Sequence, residues 1–120
     1  MKTNTGGVHI LIFTRYPVPG KVKTRLVPAL GPHRAAQLHR RMTEHAVGVA
    51  REARKTAGRR GRVKITVFFS GATRKRVRAW LGTDIPYAPQ SSGDLGARMQ
   101  DAFERAFASG ANAAVLMGSD

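Results

Sequence analysis

The residues best suited to chemistry are concentrated in one stretch, Thr14-Arg15-Tyr16-Pro17-Val18-Pro19-Gly20-Lys21-Val22-Lys23-Thr24-Arg25-Leu26, directly after a short apolar run. Four cations, Arg15, Lys21, Lys23 and Arg25, fall within eleven residues around Gly20. A glycine lets backbone N–H groups approach an anion closely. Lys23 and Arg25 can give charge-assisted hydrogen bonds, the arginine fork matching two phosphate oxygens. This is phosphate-binding chemistry, although not of the Walker A kind, because G-x-x-x-x-G-K-[ST] is absent. The plain alternative is a solvated basic loop. A second candidate is Gln90-Ser91-Ser92-Gly93-Asp94-Leu95-Gly96-Ala97-Arg98-Met99, where two glycines bracket an Asp able to cap a helix whose free N–H groups could face a ligand. An ordinary capped helix is the alternative there, and Met99 and Phe103 suit the core. The third is Asp120, a carboxylate following the apolar run Ala113–Met117 and Gly118, where it could hold Mg2+ or Mn2+ or lie solvated.

Other chemistries are excluded. The chain has no cysteine, hence no disulfide, thiolate zinc site or cysteine nucleophile. His39 and His45, six residues apart on one expected helix, face different directions and suit packing or surface roles, and neither H-E-x-x-H nor G-x-S-x-G occurs.

The elements that position these residues follow from pattern. Val8–Phe13 and Val63–Phe69 read as buried strands, as does Ala113–Met117. Pro17, Pro19, Gly20 and Pro28 argue against regular helix across residues 14–32. A helix is predicted from Pro32 to Thr56 with Leu38, Met42, Ala46, Val49 and Ala53 inward, and a short one over Thr73–Leu81. Ile85–Gln90 is extended, and Asp94 caps a helix to about Ser109 with Leu95, Met99, Phe103, Ala106 and Phe107 inward. Alternating strands and helices imply one Rossmann-like α/β domain: a mainly parallel sheet with helices on both faces.

The 120 residues carry a net charge of +14, distributed unevenly: residues 1–83 hold 19 basic and 2 acidic side chains, residues 84–120 hold 2 and 5. Such a field favours polyanions: nucleic acid, acidic membrane or phosphorylated small molecules. The apolar runs are far short of the roughly 20 residues that span a bilayer. With no leader-like N-terminus, a cytoplasmic protein without a membrane partner is expected. A nucleic-acid module would draw on Arg59-Arg60-Gly61-Arg62 and Thr73–Arg78, yet Tyr16, Trp80 and Tyr87 are not interleaved with those runs as stacking platforms.

Together, FTRYPVPGKVKTRL, QSSGDLGARMQDAFERAF and VLMGSD resemble the glycosyltransferase-A-like family associated with radical-SAM and selenodomain proteins, over about Val8 to Asp120. That family is similar to nucleotide-diphospho-sugar transferases and to small nucleotidyltransferases such as the phospholactate guanylyltransferases. The resemblance implies a three-layer α/β/α fold and a nucleotide or nucleotide-sugar partner. Arg15, Gly20, Lys21, Lys23, Thr24 and Arg25 would lie at the phosphates, with Lys23 and Arg25 catalytic. Gln90, Gly93, Asp94 and Arg98 would lie near the base or ribose, and Asp120 would bind Mg2+ or Mn2+. Members of the family run to roughly twice this length, so residues 1–120 correspond to an N-terminal half ending at the G-S-D motif. The acceptor is not implied. A half-domain would leave a sheet edge open to a second copy, and acting only as a subunit partner is a further alternative.

Overall fold

The computed structural model describes residues 7–57 and 62–118. Four strands, β1 (Val8–Arg15), β2 (Val63–Ser70), β3 (Tyr87–Pro89) and β4 (Ala113–Gly118), form one sheet in the order β3-β2-β1-β4. Every pairing is parallel, with Val8 opposite both Val63 and Ala113. β1 is a near-continuous apolar run because it lies between two strands and is covered on both faces. Helices α2 (Pro32–Ala57) and α3 (Arg74–Leu81) cover one face, where Val47, Ala50, Val77 and Leu81 pack on Ile10, Ile12, Ile65 and Val67. Helix α4 (Leu95–Ala108) covers the other, setting Ala102 and Ala106 against Leu11, Phe13 and Phe68. The expected three-layer α/β/α arrangement is therefore present.

Four details differ from the sequence reading. Residues 14–32 contain a 3-10 turn, Thr24–Leu26, and a single helical turn, α1 (Val27–Leu30). Pro28 is tolerated because it occupies the first turn of α1, where its missing N–H would have no partner. The inward stripe of α2 is Ala35, Ala36, His39, Thr43, Val47 and Ala50, while Met42 and Val49 are exposed. Small residues let α2 lie close to the sheet, and its buried polar groups find partners there: Thr43 Oγ1 bonds Thr14 Oγ1 at 2.8 Å, and His39 Nε2–H donates to the Arg15 carbonyl at 2.7 Å. Leu95 and Phe107 on α4 are likewise exposed, while Ala102 joins the expected Met99, Phe103 and Ala106 against the sheet. Within the extended segment 85–90, Tyr87–Pro89 joins the sheet as a fourth strand. The basic run Arg59–Gly61 and Asp120 lie outside the described residues.

Asp84 ties α2 to the loop after α3. Its carboxylate accepts from Arg51 Nε at 3.0 Å and Nη2 at 2.7 Å, and from Arg54 Nη2 at 2.8 Å. The hydrogen bonds from Arg51, then those from Arg54, hold its pKa well below the usual carboxylate range. A depressed folded-state pKa stabilises the fold above the ordinary value of 3.8, and that stabilisation is lost as the pH falls below it. Because the pair is exposed, Asp84→Asn is expected to cost about 1 kcal/mol, the upper end for surface ion pairs, or roughly 4 °C in Tm at neutral pH. Thermal melts at pH 7 and pH 3 check this: the difference between wild type and variant should shrink at the lower pH.

Candidate functional site

The strand order fixes where a ligand can enter. From β1 the chain crosses by α2 to β2 and onward to β3, then returns by α4 to β4 on the opposite side of β1. The connections diverge between β1 and β4, and open parallel sheets bind ligands in the crevice beyond the carboxyl ends of their strands at such a point. A cleft of about 340 Å³ lies there. Its polar rim is Thr14, Arg15, Ser70, Gln90 and Arg98, and Phe13, Met99 and Leu116 contribute apolar wall.

Gln90 organises this rim. Its backbone N–H donates to the Phe69 carbonyl at 2.9 Å, and its Nε2 donates to the carbonyls of Phe68 (3.2 Å) and Thr14 (3.3 Å). With the amide nitrogen so engaged, Oε1 accepts from Arg98 Nη1 at 2.8 Å, which orients the guanidinium on the first turn of α4. Arg15 is set from the other side. The Tyr16 N–H donates to the Ser70 carbonyl at 2.9 Å, and the Arg15 stem crosses Gly71, where a Cβ would meet Arg15 Cγ at 3.0 Å. Gly71 has φ of 83°, so both the turn and the stem require glycine there. Two guanidinium forks thus border one cleft at the strand ends, an arrangement suited to phosphate or carboxylate oxygens.

The basic loop forms a separate depression of about 490 Å³ lined by Lys21, Lys23, Thr24, Arg25 and Leu26, sharing no lining residue with the cleft. The structure brings the loop cations together, and it brings Arg15, Gln90 and Arg98 together, as two sets. Buried Pro17 and Val22 pin the loop, with Lys21 exposed and Lys23 half-buried. Tyr16 packs edge-on to Trp80 with the Arg76 guanidinium 4.5 Å from its ring, and Trp80 Nε1–H donates to Glu44 at 2.8 Å. Gly20 has φ of 83° with open space where a side chain would project, but the Lys21 N–H donates to the Val18 carbonyl at 2.9 Å and is committed to the turn. Lys23 has φ of 51°, a left-handed conformation costing a non-glycine residue about 1–2 kcal/mol.

Gly93, with φ of 106°, makes the turn into α4, and Asp94 caps that helix by accepting the Ala97 N–H at 2.8 Å. Neither lines the cleft. Ser70 and Thr14 do; Thr14 opens the candidate stretch but was not among the predicted ligand contacts, nor was Ser70, and the signal for both was their position at strand ends. Met99, read as core, packs in the core and also lines the cleft. No three His, Asp or Glu residues gather into a metal site among the described residues, and the described lining of the cleft holds no carboxylate. These residues alone do not fit a divalent cation. Asp120 follows Gly118, a cleft residue, by two positions.

Residues 49–120 match the family described as "uncharacterized protein conserved in bacteria (DUF2064)". Over 94% of its length the chain is also similar to a crystal structure from Desulfovibrio desulfuricans G20 of a candidate nucleotide-diphospho-sugar transferase, with 34% identity and a TM-score of 0.73. The match covers 47% of that protein, so this chain spans about half its length. No curated protein matches.

The left-handed backbone at Lys23 is directly testable. Lys23→Gly is expected to hold stability to within about 1 kcal/mol, since relief of strain offsets the entropy of glycine. Lys23→Val, β-branched in the same conformation, should lose about 1–2 kcal/mol by denaturant titration.

Proposed function

The chain belongs to the bacterial family DUF2064, and on that premise we propose that it is the nucleotide-binding part of a glycosyl- or nucleotidyltransferase using a nucleotide-sugar or nucleoside triphosphate donor. The observation that carries this reading is the cleft where the connections diverge, bordered by the forks of Arg15 and Arg98. Further support comes from the similarity, at 34% identity, to a candidate nucleotide-diphospho-sugar transferase.

In this reading the donor spans both depressions. Gln90 and Arg98, with Gly93 and Asp94 behind them, hold the nucleoside end. Arg15, which lines the cleft and opens the loop, leads the phosphates toward Gly20, Lys21, Lys23, Thr24 and Arg25. An acceptor oxygen attacks the sugar carbon or the α-phosphorus, and the bond from that atom to the leaving phosphate oxygen breaks. Lys23 and Arg25 offset the negative charge growing on that oxygen. Mg2+ or Mn2+ at Asp120 belongs to the proposal through the resemblance and the closeness of Asp120 in sequence to Gly118. The nucleic-acid alternative lacks comparable support, because Arg76 lies over Tyr16 and Arg40 over Trp80, occupying faces on which bases would stack.

A thermal-shift panel of nucleoside triphosphates and nucleotide sugars, with and without Mg2+ or Mn2+, tests the reading. A ligand at about 100 times its Kd adds roughly 2.7 kcal/mol, a shift on the order of 10 °C for a domain of this size. Arg98→Ala and Lys23→Ala should each weaken that binding by about 1.5–3 kcal/mol. Gln90→Ala should produce a smaller loss, by releasing Arg98. No shift with any donor, or unchanged affinity in both cation variants, contradicts the assignment.

A further inference from the structure

Seven consecutive residues, Leu26–Pro32, carry no polar side chain. Buried tightly they would be unremarkable, but Leu26, Pro28, Ala29, Leu30 and Pro32 are exposed, with Leu26 at 36% and Leu30 at 37%. Several backbone donors of this tip are already paired. Leu26 N–H bonds to the Lys23 carbonyl, Val27 N–H to Thr24, and Gly31 N–H to Val27, while Pro28 and Pro32 have no N–H. Entry into a low-dielectric medium therefore leaves these donors paired. On either side stand cations: Lys21, Lys23 and Arg25 before the tip, Arg34 after it. The first carboxylate in the chain is Glu44, so no acid interrupts this stretch.

We propose that the Leu26–Pro32 tip is a docking surface for an anionic lipid bilayer. Leu26 and Leu30 enter the boundary between head groups and acyl chains, and the flanking cations meet lipid phosphates. Charge complementarity selects this occupant: a net charge of +14 draws the chain to an anionic surface, and the apolar tip gives that attraction a place to insert. A protein partner suits the tip less well, because a standard interface takes about 20–30 residues a side. A nucleic acid would have no use for an apolar knuckle facing its phosphates. The expectation of no membrane partner came from the shortness of the apolar runs, and surface docking requires no spanning helix; none is present among the described residues. Because Lys21, Lys23 and Arg25 are also the cations proposed to hold donor phosphates, lipid and donor compete for them.

Because the chain has no cysteine, Leu30→Cys gives a single labelling position. An environment-sensitive fluorophore there is expected to shift to the blue with vesicles of phosphatidylcholine containing phosphatidylglycerol, and to be quenched by lipids brominated on their acyl chains. Pure phosphatidylcholine should give neither effect, and the same label on Lys75→Cys, at an exposed position of α3, should not be quenched. The Leu26→Ser, Leu30→Ser double variant should lose about tenfold in vesicle affinity, from forfeited apolar burial. Unchanged vesicle affinity in that variant, or equal quenching at positions 30 and 75, would reduce the effect to diffuse charge attraction and overturn the proposal. Binding to a single-stranded oligonucleotide without any binding to vesicles would overturn it as well.

Discussion

The carboxyl end of the sheet depends on how one dipeptide, Thr14–Arg15, is held. Thr14 Oγ1 meets Thr43 from α2, the Arg15 carbonyl accepts from the fully buried His39, and the Thr14 carbonyl accepts from Gln90. Elements on both sides of β1 therefore converge on the point where the strand becomes the basic loop. Buried polar groups are costly unless paired, and here pairing fixes position as well as offsetting that cost. The direction of Arg15, the seat of Gln90 and through it the orientation of Arg98 follow from this cluster.

This cluster also marks the limit of what the residues disclosed by themselves. The strands were legible because Val8–Phe13, Val63–Phe69 and Ala113–Met117 are apolar and β-branched, and the cap at Asp94 followed from its place before a helical stripe. The phase of α2 was not legible. Counting apolar residues selects Met42 and Val49, whereas the buried face carries His39 and Thr43, whose partners come from β1, 24 to 29 residues away. No local pattern encodes a hydrogen bond that exists only after the sheet and helix have packed. Arg15, Gln90 and Arg98 were recognisable as candidates from motif and charge, but their convergence rests on the strand order, in which β4 returns to the far side of β1.

The basic loop shows how a sequence rich in proline and glycine can still hold a definite shape. Pro17 and Val22 are buried, Tyr16 is locked between Trp80 and Arg76, and Lys23 is kept in a left-handed conformation. Such strain persists where the surroundings over-determine it, commonly at ligand sites. The two proposals share the loop's cations, and the apolar turn that follows them serves the surface proposal. Both proposals concern the chain that leaves one end of β1.

The most direct measurement is a nuclear magnetic resonance titration of the chain with a nucleoside diphosphate, followed by side-chain guanidinium and backbone amide shifts. The expected result is a saturable response centred on Arg15, Ser70, Gln90, Arg98 and Gly118, extending into residues 20–25. A response that instead spreads over the exposed cations of α3, and vanishes with modest salt, would contradict a nucleotide site at the carboxyl end of the sheet.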